Sequence, residues 1–394
     1  MYIGPFSSVG NSPRARAVTH SFRAKPRTSP ESRPAVIIVH DYLTQCGGAE
    51  RVVLAMHRAF PEAPIYTSLF QPVLTFPEFI RADVRAMGIN MVGSLRRHHR
   101  LAMPLLAAAF SGLKLRADVI LCSSSGWSHG IHAEGRKIVY CHTPARWLYQ
   151  TNRYLEGRGR VIRGGFTLVR PALARWDRRT AQTADRYLTQ STIVQQRIRT
   201  AYGIEAEVVP APYAVASGAN PTPVRGIEPG YFLCVARLLP YKNVDAVLKA
   251  FAGLPSKKIV VVGQGPERRR LEAAAPANAR FLGTVTDPEL AWLYANSVGL
   301  VAASFEDYGL TPLEAAAFGR PSVVLRWGGF LDTVKENETG VFFDEPTPMA
   351  IRAAVVRVNG QFDPDRIRNH AAKFSEETFV ERLRQIVAEE ASLA

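Results

Sequence analysis

The stretch Ser304-Phe-Glu-Asp-Tyr-Gly-Leu-Thr-Pro-Leu-Glu314 places two glutamates, Glu306 and Glu314, on either side of a Gly-Leu-Thr-Pro turn. The apolar run before it predicts a buried strand. The residues after it predict a helix with Thr311 as N-cap and Pro312 at the first helical position. Backbone N–H groups at such a helix start favour an anion, and the two carboxylates can accept hydrogen bonds from hydroxyl groups. An anion beside several hydroxyls is the chemistry of a sugar nucleotide.

The same residues also fit a purely structural interpretation. Thr311-Pro-Leu-Glu314 has the pattern of a capping box, in which the glutamate only bonds back to the start of its own helix. These four residues alone leave both interpretations open.

The chain around this stretch repeats the alternation of short apolar strands and helices. The first series opens with the β-branched run Ala35–Val39, a turn containing Gly47 and Gly48, and a helix from about Ala49 to Phe60. This is how a doubly wound α/β domain begins. The second series supplies five predicted strands, at Tyr231–Ala236, Lys258–Val262, Ala279–Leu282, Gly299–Ala302 and Pro321–Leu325.

A Pro- and Gly-rich, apolar-poor segment at 213–229 separates the two series and is typical of a linker. The expected domains are therefore 34–212 and 230–373, each a Rossmann-like α/β domain. Residues 1–33 are rich in Arg, Ser and Pro and have no apolar period, which predicts a disordered basic leader. Their acid-poor composition also fits a transit peptide.

Several further segments occur in an order that resembles one enzyme family. They are Val39-His-Asp-Tyr with Gly47-Gly-Ala-Glu-Arg51, Tyr140-Cys-His-Thr-Pro144, Val235-Ala-Arg-Leu-Leu-Pro-Tyr-Lys-Asn243, Val261-Val-Gly-Gln-Gly265 and Phe281-Leu-Gly-Thr-Val285. Together with the Glu, seven residues, Glu signature at 306–314, this set resembles the family 4 retaining glycosyltransferases. The resemblance implies the GT-B architecture, two Rossmann-like domains facing a cleft, with a final helix at 374–394 that crosses back to the first domain.

The resemblance also assigns roles to particular residues. It implies that Arg237 and Lys242, at the end of a strand, hold the diphosphate of the leaving nucleotide. An arginine can bind two phosphate oxygens at once, and a lysine acts as a point charge. His142 and Glu306 would contact the transferred sugar, so the expected catalytic residues are His142, Arg237, Lys242 and Glu306. The further donor-binding residues would be Gly47, Gly48, Val285, Gly309, Leu310, Thr311 and Glu314, the last at the ribose hydroxyls.

The expected chemistry needs no cofactor and no metal. No carboxylate can be assigned as a nucleophile, and the family's usual account is a front-face displacement in which the leaving phosphate accepts the proton. The motifs around Asp41 and His142 resemble the O-antigen and lipid-linked mannosyltransferase branch, which implies GDP-mannose as donor and a lipid-linked or oligosaccharide acceptor. The alternatives are a UDP-sugar donor, a GT-B epimerase or phosphorylase, and a non-catalytic sugar-nucleotide-binding protein.

The net charge of +15 is concentrated in the first half of the chain. Segment 91–116 has five cations and no acid beside the apolar run Leu101–Phe110, and segment 153–179 has eight arginines against two acids. A basic cluster beside an apolar helix predicts contact with an anionic membrane, while a core helix with a charged end is the alternative. No zinc finger, RNP signature or basic repeat is present, so nucleic acid is not an expected partner.

The four cysteines show neither metal spacing nor a disulfide framework, which favours a reduced compartment. The sequence has no run of 18 apolar residues and no secretory h-region. The expected location is the cytoplasm, at the inner face of the cell membrane if the basic segment docks there.

Overall fold

The computed structural model describes residues 16–17, 21–23, 34–97, 99–150, 160–214, 220–358 and 360–394. These residues form two compact units. The N-terminal unit comprises the described residues up to Gln190 together with Val194–Pro210 and Phe379–Ala394, and the C-terminal unit comprises Ser191–Ile193 and Ala211–Thr378.

The N-terminal unit contains a parallel sheet of nine strands within the described residues. Its order is β1-β5-β4-β3-β6-β7-β8-β9, and β2 pairs with the amino end of β6. The strands are β1 Arg16–Ala17, β2 Ser21–Arg23, β3 Val36–His40, β4 Ile65–Thr67, β5 Val84–Ala86, β6 Lys114–Ser124, β7 His132–Cys141, β8 Arg186–Thr189 and β9 Glu207–Val208. The helices are α1 Gly48–Ala59, α2 Gly93–Arg97, α3 His99–Ser111, α4 Arg146–Tyr149, α5 Arg160–Ala181 and α6 Thr192–Tyr202.

The C-terminal unit contains a six-stranded parallel sheet of order β12-β11-β10-β13-β14-β15. Its strands are β10 Tyr231–Val235, β11 Lys258–Val262, β12 Ala279–Gly283, β13 Ser297–Ala302, β14 Ser322–Leu325 and β15 Gly340–Phe343. Its helices are α7 Val244–Ala252, α8 Arg268–Ala273, α9 Asp287–Ala295, α10 Leu310–Ala317, α11 Phe330–Thr333, α12 Pro348–Arg357 and α13 Pro364–Ala372. The last helix of the chain is α14, Glu376–Ala391.

The central strands are apolar on both faces because helices cover both sides of each sheet. Every residue of β3 is buried, and β10 and β11 are buried over most of their length. The predicted fold class, two Rossmann-like α/β units with parallel sheets, is confirmed.

Helix α14 packs in the N-terminal unit although it ends the chain. The ring of Phe379 lies edge-on to Tyr140, with 5.8 Å between the ring centroids. Arg136 on β7 pairs with Glu390 at 2.7 Å, and Arg382 pairs with Glu207 at 2.5 Å. Arg186 pairs with Glu389 at 2.6 Å as well, so an apolar face and several ion pairs hold this helix to the N-terminal unit.

Two short strands come from the leader that the sequence predicts to be disordered. Arg16–Ala17 pairs with β5, and Ser21–Arg23 pairs with Lys114–Arg116 of β6. The physical reason is that β5 and the amino end of β6, which extends beyond β3, have unpaired backbone groups that can pair with an extended segment. The other residues of the leader lie outside the described part of the chain.

Candidate active site

The loops after two neighbouring strands of the C-terminal unit carry the predicted cations and the first glutamate. Strand β10 is followed by Arg237 and by a 3-10 turn that ends at Lys242. Asn243 then adopts the left-handed conformation, with φ at 52°, and its side-chain amide donates to the carbonyl of Ala303 at 2.8 Å. This hydrogen bond ties the loop after β10 to the loop after β13, where Glu306 lies.

Lys242 and Glu306 form a direct ion pair in this structure. Their side chains are 15% and 24% exposed, so both groups are largely shielded from water. The hydroxyl of Ser304 donates to the same carboxylate at 2.7 Å, and the Lys242 ammonium also lies 5.1 Å from the centre of the Tyr241 ring. Arg237, by contrast, is exposed and has no ion pair within the described chain. The structure thus brings Lys242 and Glu306 together and leaves Arg237 beside them, at the same strand end, open to a ligand.

The second glutamate, Glu314, is oriented by a tyrosine from the neighbouring helix α9. Glu314 is buried, and one carboxylate oxygen accepts a hydrogen bond from the hydroxyl of Tyr294 at 2.7 Å. Burial raises the pKa of Tyr294 well above its usual value, and the neighbouring carboxylate adds to the shift. The phenol therefore remains a hydrogen-bond donor that fixes the orientation of Glu314.

The predicted cap of this helix is wrong. Helix α10 begins at Leu310 with Gly309 as its N-cap, and no side chain caps it. The capping-box alternative is not formed either, because Glu314 turns toward Tyr294. A side chain at position 309 would lie 2.1 Å from the hydroxyl of Thr333, so only glycine fits there. Gly309, Leu310 and Thr311 still form the start of the helix, where backbone N–H groups lack partners within the helix.

The loop between the two glutamates is held by contacts that sequence reasoning missed. The N–H of Gly329 donates to the carbonyl of Glu306 at 2.9 Å. A Cβ on Gly329 would lie 2.3 Å from the Cα of Tyr308, so the two backbones can pack only through glycine. The Tyr308 hydroxyl donates to the carbonyl of Ala211 at 2.6 Å, and Ser191 donates to the carbonyl of Asp307 at 2.6 Å. In the sequence, the Gly328-Gly329 pair is the feature that could have indicated this close backbone packing.

The predicted base-recognition residue, Val285, lies in the loop between β12 and α9. It is half-buried and packs against the apolar cluster that contains Tyr231 and Leu300. The next residue, Thr286, forms a capping box with Glu289 at the start of α9. This loop therefore has a fixed course at the carboxyl end of the sheet.

In the N-terminal unit, Gly47 and Gly48 lie at the start of α1, as predicted. Gly47 is the N-cap, and a side chain there would meet the carboxylate of Glu50 at 2.5 Å. Burial raises the pKa of Glu50 to about 7, an effect only partly offset by the backbone of Glu50 and Gly47 and by Gln45. The position at this helix start that was expected to approach a diphosphate is thus filled by a carboxyl group from the same helix.

His142 belongs to a buried hydrogen-bonded chain at the carboxyl ends of β3, β6 and β7. The ring of His40 donates from Nδ1 to Ser123, at 3.1 Å from its carbonyl and 3.0 Å from its hydroxyl. That hydroxyl lies 2.8 Å from Nε2 of His142, and Nδ1 of His142 lies 3.4 Å from Oε1 of Gln190. A carbonyl can only accept, so Nδ1 of His40 carries the proton and the Ser123 hydroxyl is left to donate to His142.

His40 and His142, the two histidines of this hydrogen-bonded network, are neutral near pH 7. Burial lowers the pKa of His142 to about 4, and burial together with the neighbouring His142 lowers the pKa of His40 to about 3. Both ring nitrogens of His142 have partners in the protein. A contact with a sugar would therefore require His142 to exchange one of them, which the sequence did not indicate.

The basic apolar segment 91–116 has a buried and an exposed side. Leu106 and Phe110 of α3 are fully buried, whereas Met91, Val92 and Leu105 are 80%, 49% and 52% exposed. The side chains of 97–104 lie outside the part of the chain that is described. No helix among the described residues is long and apolar enough to cross a membrane.

The described residues hold no cluster of three His, Cys, Asp or Glu side chains that could bind a metal ion. All four cysteines are free, and Cys122, Cys141 and Cys234 are buried.

Two family models match successive parts of the chain. Residues 46–215 match the model described as "Glycosyltransferase Family 4", and residues 224–374 match "Glycosyl transferases group 1". The first match spans most of the N-terminal unit, and the second covers the C-terminal sheet.

Two known proteins show sequence similarity to parts of this chain. The chain is 32% identical over 141 residues to a glycogen synthase of Thermus thermophilus, a match covering 34% of this chain and 32% of that protein. It is 33% identical over 111 residues to a GDP-mannose-dependent alpha-mannosyltransferase of Corynebacterium glutamicum, covering 28% of this chain and 26% of that protein. The match spans about a third or less of the length of either relative.

Among solved structures, the fold is similar to Anabaena HepE in complex with UDP-glucose. The TM-score is 0.65 at 16% identity, covering 90% of this chain and 100% of that one. That likeness concerns the fold, while the two family models identify the domains. Residues 46–215 and 224–374 thus match the two domain models of family 4 and group 1 glycosyltransferases, and the fold is similar to that of HepE.

Proposed function

We propose that this glycosyltransferase moves a hexosyl group from a nucleotide sugar with retention of configuration, and that the donor is GDP-mannose. The observation that carries the proposal is the cluster of Arg237, Lys242 and Glu306 at the carboxyl edge of the C-terminal sheet. Ligands of open parallel sheets bind at this edge. Two cations and a carboxylate, beside the free N–H groups that start α10, match a diphosphate that carries hydroxyl-bearing groups at both ends.

The ion pair between Lys242 and Glu306 suggests how the donor enters. The pair keeps both charges satisfied before a ligand arrives, and the remaining exposure of each side chain leaves an approach from solvent. When a diphosphate binds, Lys242 exchanges the carboxylate for a phosphate oxygen. Glu306, still oriented by Ser304, is then able to accept hydrogen bonds from the sugar hydroxyls. Arg237 needs no such exchange.

The two cations would supply the catalytic stabilisation. Negative charge grows on the β-phosphate as the glycosidic bond breaks, and preorganised cations stabilise that charge more than they stabilise the ground state. Retention would follow front-face displacement, in which the leaving phosphate accepts the proton of the acceptor hydroxyl. This scheme needs no protein nucleophile, metal or cofactor.

Glu314 would hold the nucleoside from the first turns of α10. Its hydrogen bond from Tyr294 fixes one oxygen and thereby the direction of the carboxylate. Gly309, Leu310 and Thr311 would offer backbone N–H groups to the phosphates, and Val285 would lie at the base. His142 remains a predicted contact of the sugar, which requires it to exchange one of its hydrogen-bond partners. Gly47 and Gly48 remain predicted contacts of the diphosphate.

Mannose is proposed because the His40–Arg51 and Cys141–Trp147 motifs resemble the mannosyltransferase branch and because one relative is a GDP-mannose-dependent enzyme. The complex of HepE with UDP-glucose supports a UDP-sugar as the second candidate donor. The acceptor would be lipid-linked or an oligosaccharide in envelope polysaccharide or glycolipid synthesis. The exposed apolar residues and the cations of segment 91–116 support a peripheral contact with an anionic membrane.

The test is donor hydrolysis, which uses water as acceptor and needs no knowledge of the natural one. Purified protein is incubated with GDP-mannose, UDP-glucose or ADP-glucose, and nucleoside diphosphate release is measured. We expect release from GDP-mannose that disappears in Arg237→Ala. Release from UDP-glucose alone would replace the donor assignment, and release from none of the three sugars would count against the transferase proposal.

A further inference from the structure

A cavity of about 1120 Å³ lies in the N-terminal unit. Its lining comes from the end of α3, the segment 130–137 and the second half of α5. The lining follows the amino-terminal half of β7 as far as Lys137, whereas His142 follows the carboxyl end. At about 3.3 Å per residue, the five steps from Lys137 to His142 correspond to roughly 16 Å.

The lining of this cavity is basic. It includes Arg175, Arg178, Arg179, His132 and Lys137, and it contains no acidic residue. Arg178 donates to the carbonyl of Ala201 at 3.2 Å. Arg175 and Arg179 are exposed and form no ion pair within the described chain. Asp177, the acid in this stretch of helix, is buried and contacts His129 at 3.2 Å and the Tyr149 hydroxyl at 2.8 Å. The three guanidinium groups repel one another and attract an anion.

Lys137 adds a buried charge to the floor of the cavity. Its side chain is 1% exposed, and its ammonium group donates to the carbonyls of His129 at 3.0 Å and Ile131 at 3.3 Å and to the hydroxyl of Thr183. All three acceptors are neutral, and no carboxylate of the described residues pairs with it. Buried charges are normally paired. Burial lowers the pKa of Lys137, and the charge of nearby Asp185, which does not line the cavity, partly offsets that shift. When protonated, the ammonium adds positive potential to a lining that contains no acid.

The remaining wall is apolar and rigid. The indole of Trp176 donates to the hydroxyl of Ser111 at 2.7 Å, and its ring packs so closely on Gly130 that a Cβ there would lie 2.4 Å away. Ile131 and Pro171 complete this side. The cavity thus offers forked cations at its mouth and a fixed apolar surface beside them.

We propose that this cavity binds the phosphate group of a second ligand, distinct from the sugar-nucleotide donor. Arg175 and Arg179 grip the phosphate oxygens, since a guanidinium fork matches two of them. Lys137 strengthens the field without direct contact. The phosphate belongs either to a soluble ester or to a lipid headgroup, and both present the same dianionic or monoanionic oxygens. This site gives a role to Arg175, Arg178 and Arg179 at the end of the arginine-rich segment, which the donor site does not use.

The first experiment measures inorganic pyrophosphate binding by calorimetry to wild type, to Arg175→Gln/Arg179→Gln, and to the control Arg81→Gln/Arg366→Gln. The control removes the same charge at exposed positions outside the cavity. Any pyrophosphate bound at the donor site is common to all three proteins, so their difference reports the cavity. We expect at least tenfold weaker binding at one site in the cavity variant, and wild-type binding in the control.

The second experiment identifies the source of the phosphate. The same three proteins are sedimented with vesicles of phosphatidylcholine containing phosphatidic acid, and with phosphatidylcholine alone. Loss of binding to the anionic vesicles in the cavity variant alone supports a lipid headgroup, and a loss confined to pyrophosphate supports a soluble ester. If the cavity variant and the control behave alike in both experiments, the proposal is overturned. Arg179→Gln alone serves as the variant if the double change lowers the melting temperature.

Discussion

Lys242→Ala separates the ligand role of the lysine from its structural role. Its ammonium forms an ion pair with Glu306 and has no other charged partner in the described chain. Removing it leaves Glu306 with the Ser304 hydroxyl and with partial access to water, so the carboxylate is not stranded. A partly exposed ion pair contributes about 1 kcal/mol or less. For a unit of this size that corresponds to a decrease of about 2–4 °C in melting temperature.

The effect on turnover should be far larger than the effect on stability. Loss of one group that stabilises developing charge costs about 10²–10³ in kcat. Arg237→Ala should cost a similar factor with no change in melting temperature, because Arg237 has no ion pair to lose. The assay is nucleoside diphosphate release from the donor, combined with thermal unfolding of each variant.

The matched control is Lys258→Ala, which removes an exposed lysine of the same unit that pairs with Glu228. It should leave both turnover and melting temperature unchanged. A turnover of Lys242→Ala within threefold of wild type, at saturating donor, would refute the reasoning, because the lysine would then be only a structural partner of Glu306.

Three further outcomes are expected. Glu314→Gln should mainly weaken donor binding and Glu306→Gln should mainly lower kcat; a lower melting temperature of Glu314→Gln with unchanged donor affinity would assign Glu314 a structural role only. Because burial lowers the pKa of His142 from 6.5 to about 4, its contribution to stability is complete above pH 6.5 and is lost as the pH falls toward 4, by about 2 kcal/mol at pH 5. His142→Gln should make the stability curve less steep between pH 7 and 5, with His40 supplying the remaining slope, and a curve parallel to that of wild type would disprove the assignment. Docking through segment 91–116 should give co-sedimentation with anionic vesicles that weakens with salt, at about 1 kcal/mol per cation; equal binding after Glu replaces Arg96, Arg97 and Arg100 would exclude it.

The sequence predicted those features of the site that depend on strand order. Parallel strands bring their carboxyl ends to one edge, so the positions of Arg237 and Lys242 after β10 and of Glu306 after β13 followed from the pattern of apolar runs. The start of α10 was predicted to within two residues. Its actual cap is Gly309, because close packing on Thr333 selects glycine there.

The pairings of the site could not be predicted in the same way. Lys242 and Glu306 are 64 positions apart, and His40 and Ser123 are 83 apart. Periodicity reports which face of an element is buried but not which side chain across a sheet its polar groups meet. For the same reason, the Tyr294 hydrogen bond that replaces the capping box at Glu314 was not visible in the local sequence. The contact of the Glu50 carboxyl with Gly47 and the raised pKa of Glu50 could not be predicted either, because both depend on burial in the folded protein.

The most direct test of the central claim, a nucleotide-sugar site built on Arg237, Lys242 and Glu306, is the binding of GDP, UDP and ADP to wild type and to Arg237→Ala/Lys242→Ala. A ligand at 100 times its dissociation constant stabilises the folded protein by about 2.7 kcal/mol, which thermal unfolding detects. Wild type should be stabilised by GDP more than by UDP or ADP, and the double variant by none of them. Equal stabilisation of both proteins, or no stabilisation of wild type by any nucleotide, would contradict the claim.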